Sequence, residues 1–277
     1  MAALATMHGK EEAIAPALRR EVGLEVTVPH GIDTDAFGTF TGEVERRGTP
    51  AEAALAKARL AIERTGLPVG LASEGAYGPH PEVAMLASGV ELVAVVDRAN
   101  GIEIVEGARV QETNFAHTRA AAAGEELLDW AQGAGFPEHA LVVRPGAGER
   151  TDLIFKGIAD RKGLAGAIAT CAAASADGMA LVETDMRADR NPTRMREIAK
   201  VATRLGERLA TPCPTCSAPG FGAIEVVPGL PCERCGRPTD WAAGTIHGCC
   251  RCEERATLPR PDGLEVADPA NCGACNP

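Results

Sequence analysis

Aromatic side chains are scarce in this sequence, at 3% of its 277 residues, which excludes a core built on aromatic packing. Alanine, valine, leucine and isoleucine must fill the interior instead, and a hydrophobic share of 45% is sufficient for that. Long apolar runs are missing as well, which argues against a membrane-spanning helix. The first ten residues, MAALATMHGK, lack the basic and apolar regions of a secretion signal. We therefore expect a cytoplasmic protein without a membrane partner.

Positive charge is in deficit: 28 lysines and arginines stand against 38 acidic residues, for a formal net charge of -10. Such a chain is repelled by phosphate backbones unless it concentrates basic residues locally. Residues 211–277 offer no such concentration, because five arginines and no lysine face eight acidic residues there. The sequence thus argues against nucleic acid, and it leaves a small-molecule nucleotide or a protein as the expected partner.

Cysteine is nearly absent before residue 211 and abundant after it. Nine of the ten cysteines lie between 213 and 275, and the other is Cys171. Helix-forming residues also give way to glycine, proline and cysteine near Thr211. We therefore predict an α/β domain at 1–210 and a Cys-rich module at 211–277. Cys171 falls in an alanine-rich helical pattern and is expected to be a core residue.

Residues 1–210 alternate apolar segments with helical patterns, which predicts an α/β domain with a mixed sheet and flanking helices. Helices are expected at 10–21, 49–65, 120–133, 160–175 and 193–210. Strands are expected at 2–7, 24–28, 67–74, 90–96, 101–105, 139–144 and 179–183. The second helix has the clearest start, since Thr49 and Glu52 form a capping box with Pro50 at the first helical position. The strand after it is predicted to end on Ser73-Glu74-Gly75, with a carboxylate at its end.

Four CxxC pairs lie in the module 211–277, a spacing typical of zinc sites in a reducing compartment. Two thiolates three residues apart bind one edge of a tetrahedral Zn²⁺, and a second pair completes the site. Eight ligands predict two closed structural zinc sites in a module too poor in apolar residues to fold alone. An iron–sulfur cluster is the alternative use of the same thiolates. The predicted ligands are Cys213, Cys216, Cys232, Cys235, Cys249, Cys252, Cys272 and Cys275.

The spacing leaves open how the four pairs combine. Sequential pairing joins the first pair with the second, whereas interleaved pairing joins the first with the third and the second with the fourth. Residues 221–227 and 241–247 are predicted to form a zinc-ribbon hairpin, which favours the interleaved arrangement. His247 and Cys250 are interpreted as bystanders, although Cys250 could replace Cys249.

Residues 49–75 are similar to the central motif of the inosine/xanthosine triphosphate pyrophosphatase family. In that family a T-x-x-E-N-A-x-x-K-A helix runs into a T-G-x-P-V strand, which ends on paired acids before a glycine. This sequence keeps the spacing from Thr49 through Glu74, but it has Ala53 for the asparagine and Ser73 for the first acid. The start, ALATMHGKEE, resembles the family's T-G-N-x-x-K-x-x-E loop. The segments MHGKE, VETDMRADRNPTRM and CNP also resemble a bacterial family catalogued only as a domain of unknown function.

The pyrophosphatase resemblance implies that a nucleoside triphosphate is split into a monophosphate and pyrophosphate with Mg²⁺ or Mn²⁺. Glu74 and Glu12 would hold the metal ion, and Glu74 would also orient the attacking water. The outline of the family's G-F-G-Y-D-P-I-F segment recurs at 135–142, which would place His139 near the base. The remaining substrate-binding candidates are Lys10, Lys57, Asp185, Arg187 and Arg194.

Each candidate also has a structural interpretation. Lys57 lies at the edge of an apolar helix face, where its stem could simply cover apolar surface. His139 precedes a buried strand, and Asp185 with Arg187 could form a solvated salt bridge. A second class of function therefore stays open, a non-enzymatic zinc-ribbon adaptor that contacts protein or nucleic acid. The replaced residues at Ala53 and Ser73 favour this adaptor, because an α/β domain that has lost catalysis need not keep them.

Overall fold

The computed structural model describes residues 1–34, 37, 48–80, 83, 85–110, 112–148 and 152–277. It divides into two compact units, Met1–Leu205 and Gly206–Pro277. The division falls inside the last helix, a few residues before the composition change near Thr211. Most of the acidic loop expected between the second strand and the second helix lies outside the described residues. Within the described ranges, no helix combines the length and the apolar character needed to cross a membrane.

Five α-helices occur in the described part of the chain, close to the predicted positions. They are α1 (Glu11–Val22), α2 (Pro50–Thr65), α3 (Glu125–Gly133), α4 (Arg161–Ala174) and α5 (Pro192–Ala210). The capping box of α2 is confirmed: the Thr49 hydroxyl accepts from Glu52 N at 3.2 Å, and the Glu52 carboxylate accepts from Thr49 N at 2.8 Å. The helix α3 begins later than expected, because Gly124 before it is extended.

The first sheet of the larger unit is mixed, with the order β2-β1-β3-β4-β5. Its strands are β1 (Ala2–Ala5), β2 (Val26–Thr27), β3 (Val69–Pro79), β4 (Ala87–Asp97) and β5 (Ile102–Arg109). The strand β1 is parallel to β2 and β3, whereas β4 and β5 are antiparallel to their neighbours. The last pair between β1 and β3 joins Ala5 to Ala72, so β3 continues well past the carboxyl end of β1.

The strand β3 is longer than the sequence predicts, and the expected end at Glu74 is wrong. It pairs with β4 along its whole length, from Val69 opposite Asp97 to Pro79 opposite Ala87. The prediction took the carboxylate of Glu74 as the end of the apolar run. The structure instead buries that carboxylate beside a lysine, so the ladder continues through it.

The helix α2 packs on β1 and β3 through small side chains. Ala58, Ala61 and Ile62 of the helix join Ala3 and Ala72 of the strands in one buried cluster. The approach is closest at Gly70, where an added Cβ would lie 2.0 Å from the carbonyl oxygen of Ala58. This fit of alanine against glycine explains how the larger unit forms a core with so few aromatic residues.

A second, antiparallel sheet of the larger unit has the order β6-β9-β7-β8. Its strands are β6 (His117–Ala120), β7 (Leu141–Pro145), β8 (Phe155–Ile158) and β9 (Ala180–Thr184). The strands β6 and β8 were not predicted, since each has only four residues and no clear apolar alternation. The helix α4 covers this sheet, and Cys171 is a fully buried core residue, as predicted.

The smaller unit contains a three-stranded antiparallel sheet with the order β10-β11-β12. The strands are β10 (Gly222–Pro228), β11 (Ala242–Gly248) and β12 (Arg255–Pro259). The first two form the predicted hairpin, which confirms the zinc-ribbon-like architecture. The third strand was not predicted, because it has only five residues and four of them are exposed.

Candidate functional site

The eight predicted cysteine ligands form two groups in the smaller unit. In each group the four sulfur atoms lie within 4.8 Å of one another. The first group is Cys213, Cys216, Cys249 and Cys252, and the second is Cys232, Cys235, Cys272 and Cys275. The pairs therefore combine in the interleaved arrangement.

The sulfur spacing fits a tetrahedral metal ion. In the first group Cys213 and Cys252 are 3.6 Å apart, and in the second Cys235 and Cys272 are 3.7 Å apart, measured between Sγ atoms. Tetrahedral Zn²⁺ with Zn–S bonds near 2.3 Å requires sulfur atoms about 3.8 Å apart. Each group could thus hold one structural metal ion, with zinc as the ion that suits four thiolates. Such a closed site leaves no position for a reacting water.

Neither of the two predicted bystanders takes part in these groups. The Cys250 thiol lies 3.5 Å from the carbonyl oxygen of Pro219 and stands outside both clusters. The ring of His247 lies 6.1 Å from the ring of Phe221. Cys249, the predicted ligand next to Cys250, is held by the backbone: the amides of Arg251 and Cys252 donate to its Sγ at 3.3 and 3.4 Å.

A second candidate site lies in the larger unit, at the carboxyl end of β1. There Lys10 reaches across to β3 and donates from Nζ to the Ser73 carbonyl oxygen at 3.0 Å. Its side chain is buried, and burial together with the Arg194 charge lowers the pKa of Lys10 to about 8. Ligands of α/β proteins commonly bind at the carboxyl ends of strands.

On the α2 side of β3, Glu74 forms a buried ion pair with Lys57. The two side chains are 6% and 7% exposed, so each charge depends on the other for its stability. The Lys57 ammonium also lies 5.8 Å from the centre of the Phe37 ring. The lysine that could merely have covered apolar surface is therefore inside the molecule.

On the opposite side of β3, Arg194 of α5 forms a second buried ion pair, with Glu91 of β4. Arg194 Nε donates to Glu91 Oε1 at 2.6 Å, and the guanidinium also donates to the carbonyl oxygen of Met186. The Tyr77 hydroxyl donates to the same Oε1 at 2.8 Å, and its ring lies 5.5 Å from the guanidinium. This pair connects β4 with the loop that follows β9.

The buried charges at the carboxyl end of β1 thus come from five separate parts of the chain. We call them the buried charge cluster, and its members are Lys10, Lys57, Glu74, Glu91 and Arg194. Four of the five were singled out from the sequence. Glu91 and its partner Tyr77 were missed; a single carboxylate inside the apolar run GVELVAVV was the available signal for Glu91.

The other predicted site residues are not members of this cluster. Glu12 is exposed in the first turn of α1, whereas Glu74 is buried in β3. Asp185 is buried and accepts from Gly157 N at 3.0 Å and from Arg187. His139 Nε2 lies 2.9 Å from the Thr193 hydroxyl, next to the first turn of α5. Asp185 and His139 therefore each have hydrogen-bond partners in their own neighbourhood.

Residues 57–277 match a family described as a domain of unknown function, DUF6671. Because this match covers most of the chain, the protein belongs to that family. The matched residues include the whole cysteine module and every member of the buried charge cluster except Lys10. No curated protein matches the chain, and no solved structure matches it.

Proposed function

We propose that the larger unit binds a nucleoside triphosphate at the buried charge cluster and splits it into a monophosphate and pyrophosphate. The observation that supports this most is the convergence of Lys10, Lys57, Glu74 and Arg194. The sequence predicts the same residues as a phosphate and metal site. The smaller unit holds its two metal ions for structure, not for this reaction.

The charge balance of the cluster suits a phosphate ligand. Three cationic side chains face two carboxylates in a chain whose net charge is -10. The Lys10 ammonium makes a single hydrogen bond within the described residues, so it retains donors for a phosphate oxygen. An excess of buried positive charge is costly by itself, and an anionic ligand would relieve that cost.

The reaction would also require Mg²⁺ or Mn²⁺, and Glu74 is the carboxylate of the cluster that suits such an ion. When bound, the ion would neutralise charge on the triphosphate. In the absence of substrate, Glu74 is paired with Lys57. A bound phosphate would offer Lys57 another anionic partner, which would release Glu74 toward the ion and the attacking water. The contribution of Glu12 to this ion stays a prediction.

A hydrolysis screen tests the proposal. Zinc-loaded protein is incubated with Mg²⁺ or Mn²⁺ and a panel of standard and deaminated nucleoside triphosphates, and the products are quantified by ion chromatography. We expect monophosphate and pyrophosphate in equal amounts, and their loss in Glu74→Gln. The control is Glu103→Gln, which changes a carboxylate that is half-exposed and paired with Arg59 at the surface. No turnover by the folded wild-type protein would refute the enzymatic proposal.

An adaptor function is the second candidate, and the surface of the smaller unit favours it. Val226 and Leu258 lie in one row across the sheet, both opposite Thr245, and they are 58% and 41% exposed. Exposed apolar side chains grouped on a sheet suit a protein partner better than nucleic acid. If Val226→Asp abolishes co-purification of a partner at unchanged zinc content, this function is supported. A mobility shift of nucleic acid that vanishes at moderate salt would instead indicate backbone binding.

A further inference from the structure

The face of β3 opposite Glu74 has polar atoms that the proposed reaction does not use. Side chains alternate along a strand, so Ser73, Gly75 and Tyr77 share this face. Glu91 pairs with Gly75 and therefore lies on the same face of the sheet. Gly75 has no side chain, and its missing Cβ would lie 2.6 Å from Glu91 Oε1. The Glu91 carboxylate thus lies over β3 at Gly75, two residues from Ser73 on the same face.

The two oxygens of Glu91 are used unequally. Oε1 accepts from both Tyr77 and Arg194, whereas Oε2 is buried and has no hydrogen-bond partner among the described residues. Glu91 itself is 0% exposed, so bulk water does not reach this oxygen. A buried carboxylate oxygen without a donor destabilises the fold, which makes an additional donor at this position strongly favourable.

Ser73 presents a second polar atom of this kind. Its hydroxyl is buried and has no hydrogen-bond partner among the described residues, and the residue is 2% exposed. Its carbonyl oxygen accepts the hydrogen bond from Lys10 Nζ, at 3.0 Å. The Lys10 charge also interacts with that of Glu91. Glu91 Oε2, the Ser73 hydroxyl and the Lys10 ammonium can therefore each form a further hydrogen bond. All three belong to residues beside one stretch of β3.

We propose that Ser73 Oγ, Glu91 Oε2 and Lys10 Nζ bind one ordered water molecule. A single water can donate to Glu91, accept from Lys10 and share a hydrogen bond with Ser73, which satisfies all three groups. A metal ion is disfavoured at this position by the adjacent charges of Lys10 and Arg194. Through the water, Ser73 and Glu91 are positioning residues that hold the Lys10 ammonium for a phosphate. This role of Lys10 rests on the proposed function, whereas the water site does not.

A high-resolution crystal structure of the full chain tests the water site directly. We expect an ordered water within hydrogen-bond distance of Ser73 Oγ and Glu91 Oε2 in the wild-type protein. It should be retained in Ser73→Thr, which keeps the hydroxyl, and lost in Ser73→Ala. A dry wild-type site, or a metal ion in place of the water in crystals grown with Mg²⁺, overturns the proposal.

The positioning role is tested by calorimetry with inorganic pyrophosphate, which does not depend on turnover. We expect Ser73→Ala to weaken pyrophosphate binding about tenfold, the scale of one lost hydrogen bond to a charged group, and Ser73→Thr to restore it. The control is Ser175→Ala, which removes a buried hydroxyl bonded to Asp177 in the turn between α4 and β9 of the same unit. Wild-type affinity in Ser73→Ala, with the water gone, would refute the positioning role. Absence of pyrophosphate binding by the wild-type protein would refute that role together with the proposed phosphate site, while the crystal structure would still decide the water site.

Discussion

Two buried ion pairs are the main residue-scale feature of the larger unit. Lys57 with Glu74, and Arg194 with Glu91, are each at most 7% exposed. Such pairs lose the hydration of both partners, and apolar residues of similar volume are often at least as stabilising. A unit whose core otherwise consists of alanine, leucine, isoleucine and valine gains little stability from them. In the function proposed above, these residues serve to bind the phosphate and its metal ion.

Gly75 leaves room for the pair of Arg194 with Glu91, and its replacement tests how closely this pair packs on β3. An added Cβ would lie 2.6 Å from Glu91 Oε1 and 2.7 Å from Arg194 Nη2. We expect Gly75→Ala to lower the free energy of unfolding by about 1–3 kcal/mol, the usual cost of overpacking. The measurement is urea unfolding of the larger unit, followed by the fluorescence of Trp130 in a Trp241→Phe background.

Gly78→Ala is the matched control on the same strand, since nothing lies within 4 Å of its added Cβ. Alanine is compatible with the extended backbone there, so this change should be neutral or slightly stabilising. Equal destabilisation by Gly75→Ala and Gly78→Ala would show that the Glu91–Arg194 pair does not sterically exclude a side chain at position 75.

The sequence indicated some members of the buried charge cluster but not others. Lys57 and Glu74 stood out because they fall 17 residues apart, within one motif. Glu91 and Arg194 are 103 residues apart, and nothing local in either segment indicates the other. A contact between distant elements such as β4 and α5 depends on tertiary packing, which the periodicity of the sequence does not specify.

At the scale of elements, α2 is the helix whose start was best specified by its sequence. Its first turn is stabilised by the Thr49 hydroxyl, which accepts from Glu52 N. We expect Thr49→Ala to reduce the free energy of unfolding of the larger unit by about 1 kcal/mol, the typical value for a lost N-cap. Urea unfolding monitored by far-ultraviolet circular dichroism measures this change.

Thr170→Ala is the control for Thr49→Ala. It removes an exposed threonine whose hydroxyl donates to the Gly166 carbonyl oxygen within α4. Alanine favours a helix interior, so this substitution should change the unfolding free energy by no more than about 0.5 kcal/mol. A Thr49→Ala effect as small as that would mean that the capping box does not limit the stability of α2.

The helices were more predictable than the strands, for a physical reason. A helix start is specified by nearby residues, as at α2, and a helix end by a left-handed glycine such as Gly66 after it. The extent of β3 depends instead on the partner strand β4, which pairs with it as far as Pro79. The short strands β6 and β8 are likewise defined by their neighbours in the sheet and have no apolar alternation of their own.

For the whole molecule, metal removal should separate the two units. Buried residues of the smaller unit include three ligands, Cys213, Cys232 and Cys272, and few large apolar side chains. We expect a chelator under reducing conditions to unfold residues 206–277 and to leave the larger unit folded. Each unit contains one tryptophan, Trp130 or Trp241, so Trp→Phe variants report on each unit alone.

Fluorescence and bound zinc are then measured together during the chelator titration. The Trp241 signal should change in step with zinc loss, while the Trp130 signal should stay constant until denaturant is added. A simultaneous change of both signals would mean that the units unfold as one. Restored Trp241 fluorescence after zinc is returned would exclude irreversible oxidation of the thiols as the cause.

The architecture of the smaller unit could be predicted well from its sequence, because CxxC spacing restricts the geometry strongly. The spacing could not settle how the four CxxC pairs combine, since the sequential and the interleaved arrangement both place four thiolates around each ion. The interleaved outcome depends on the β10–β11 hairpin, which separates the first pair from the second and brings the first beside the third.

Interleaving also fixes the order in which the two metal sites can be completed as the chain leaves the ribosome. The first site lacks its last ligand until Cys252 has emerged, and by then half of the second site, Cys232 and Cys235, is already exposed. Four or more free thiolates are therefore present together before either ion is fully enclosed. A nascent chain of this kind depends on a steady supply of zinc at the moment of synthesis, since an early disulfide between pairs of different sites would block both.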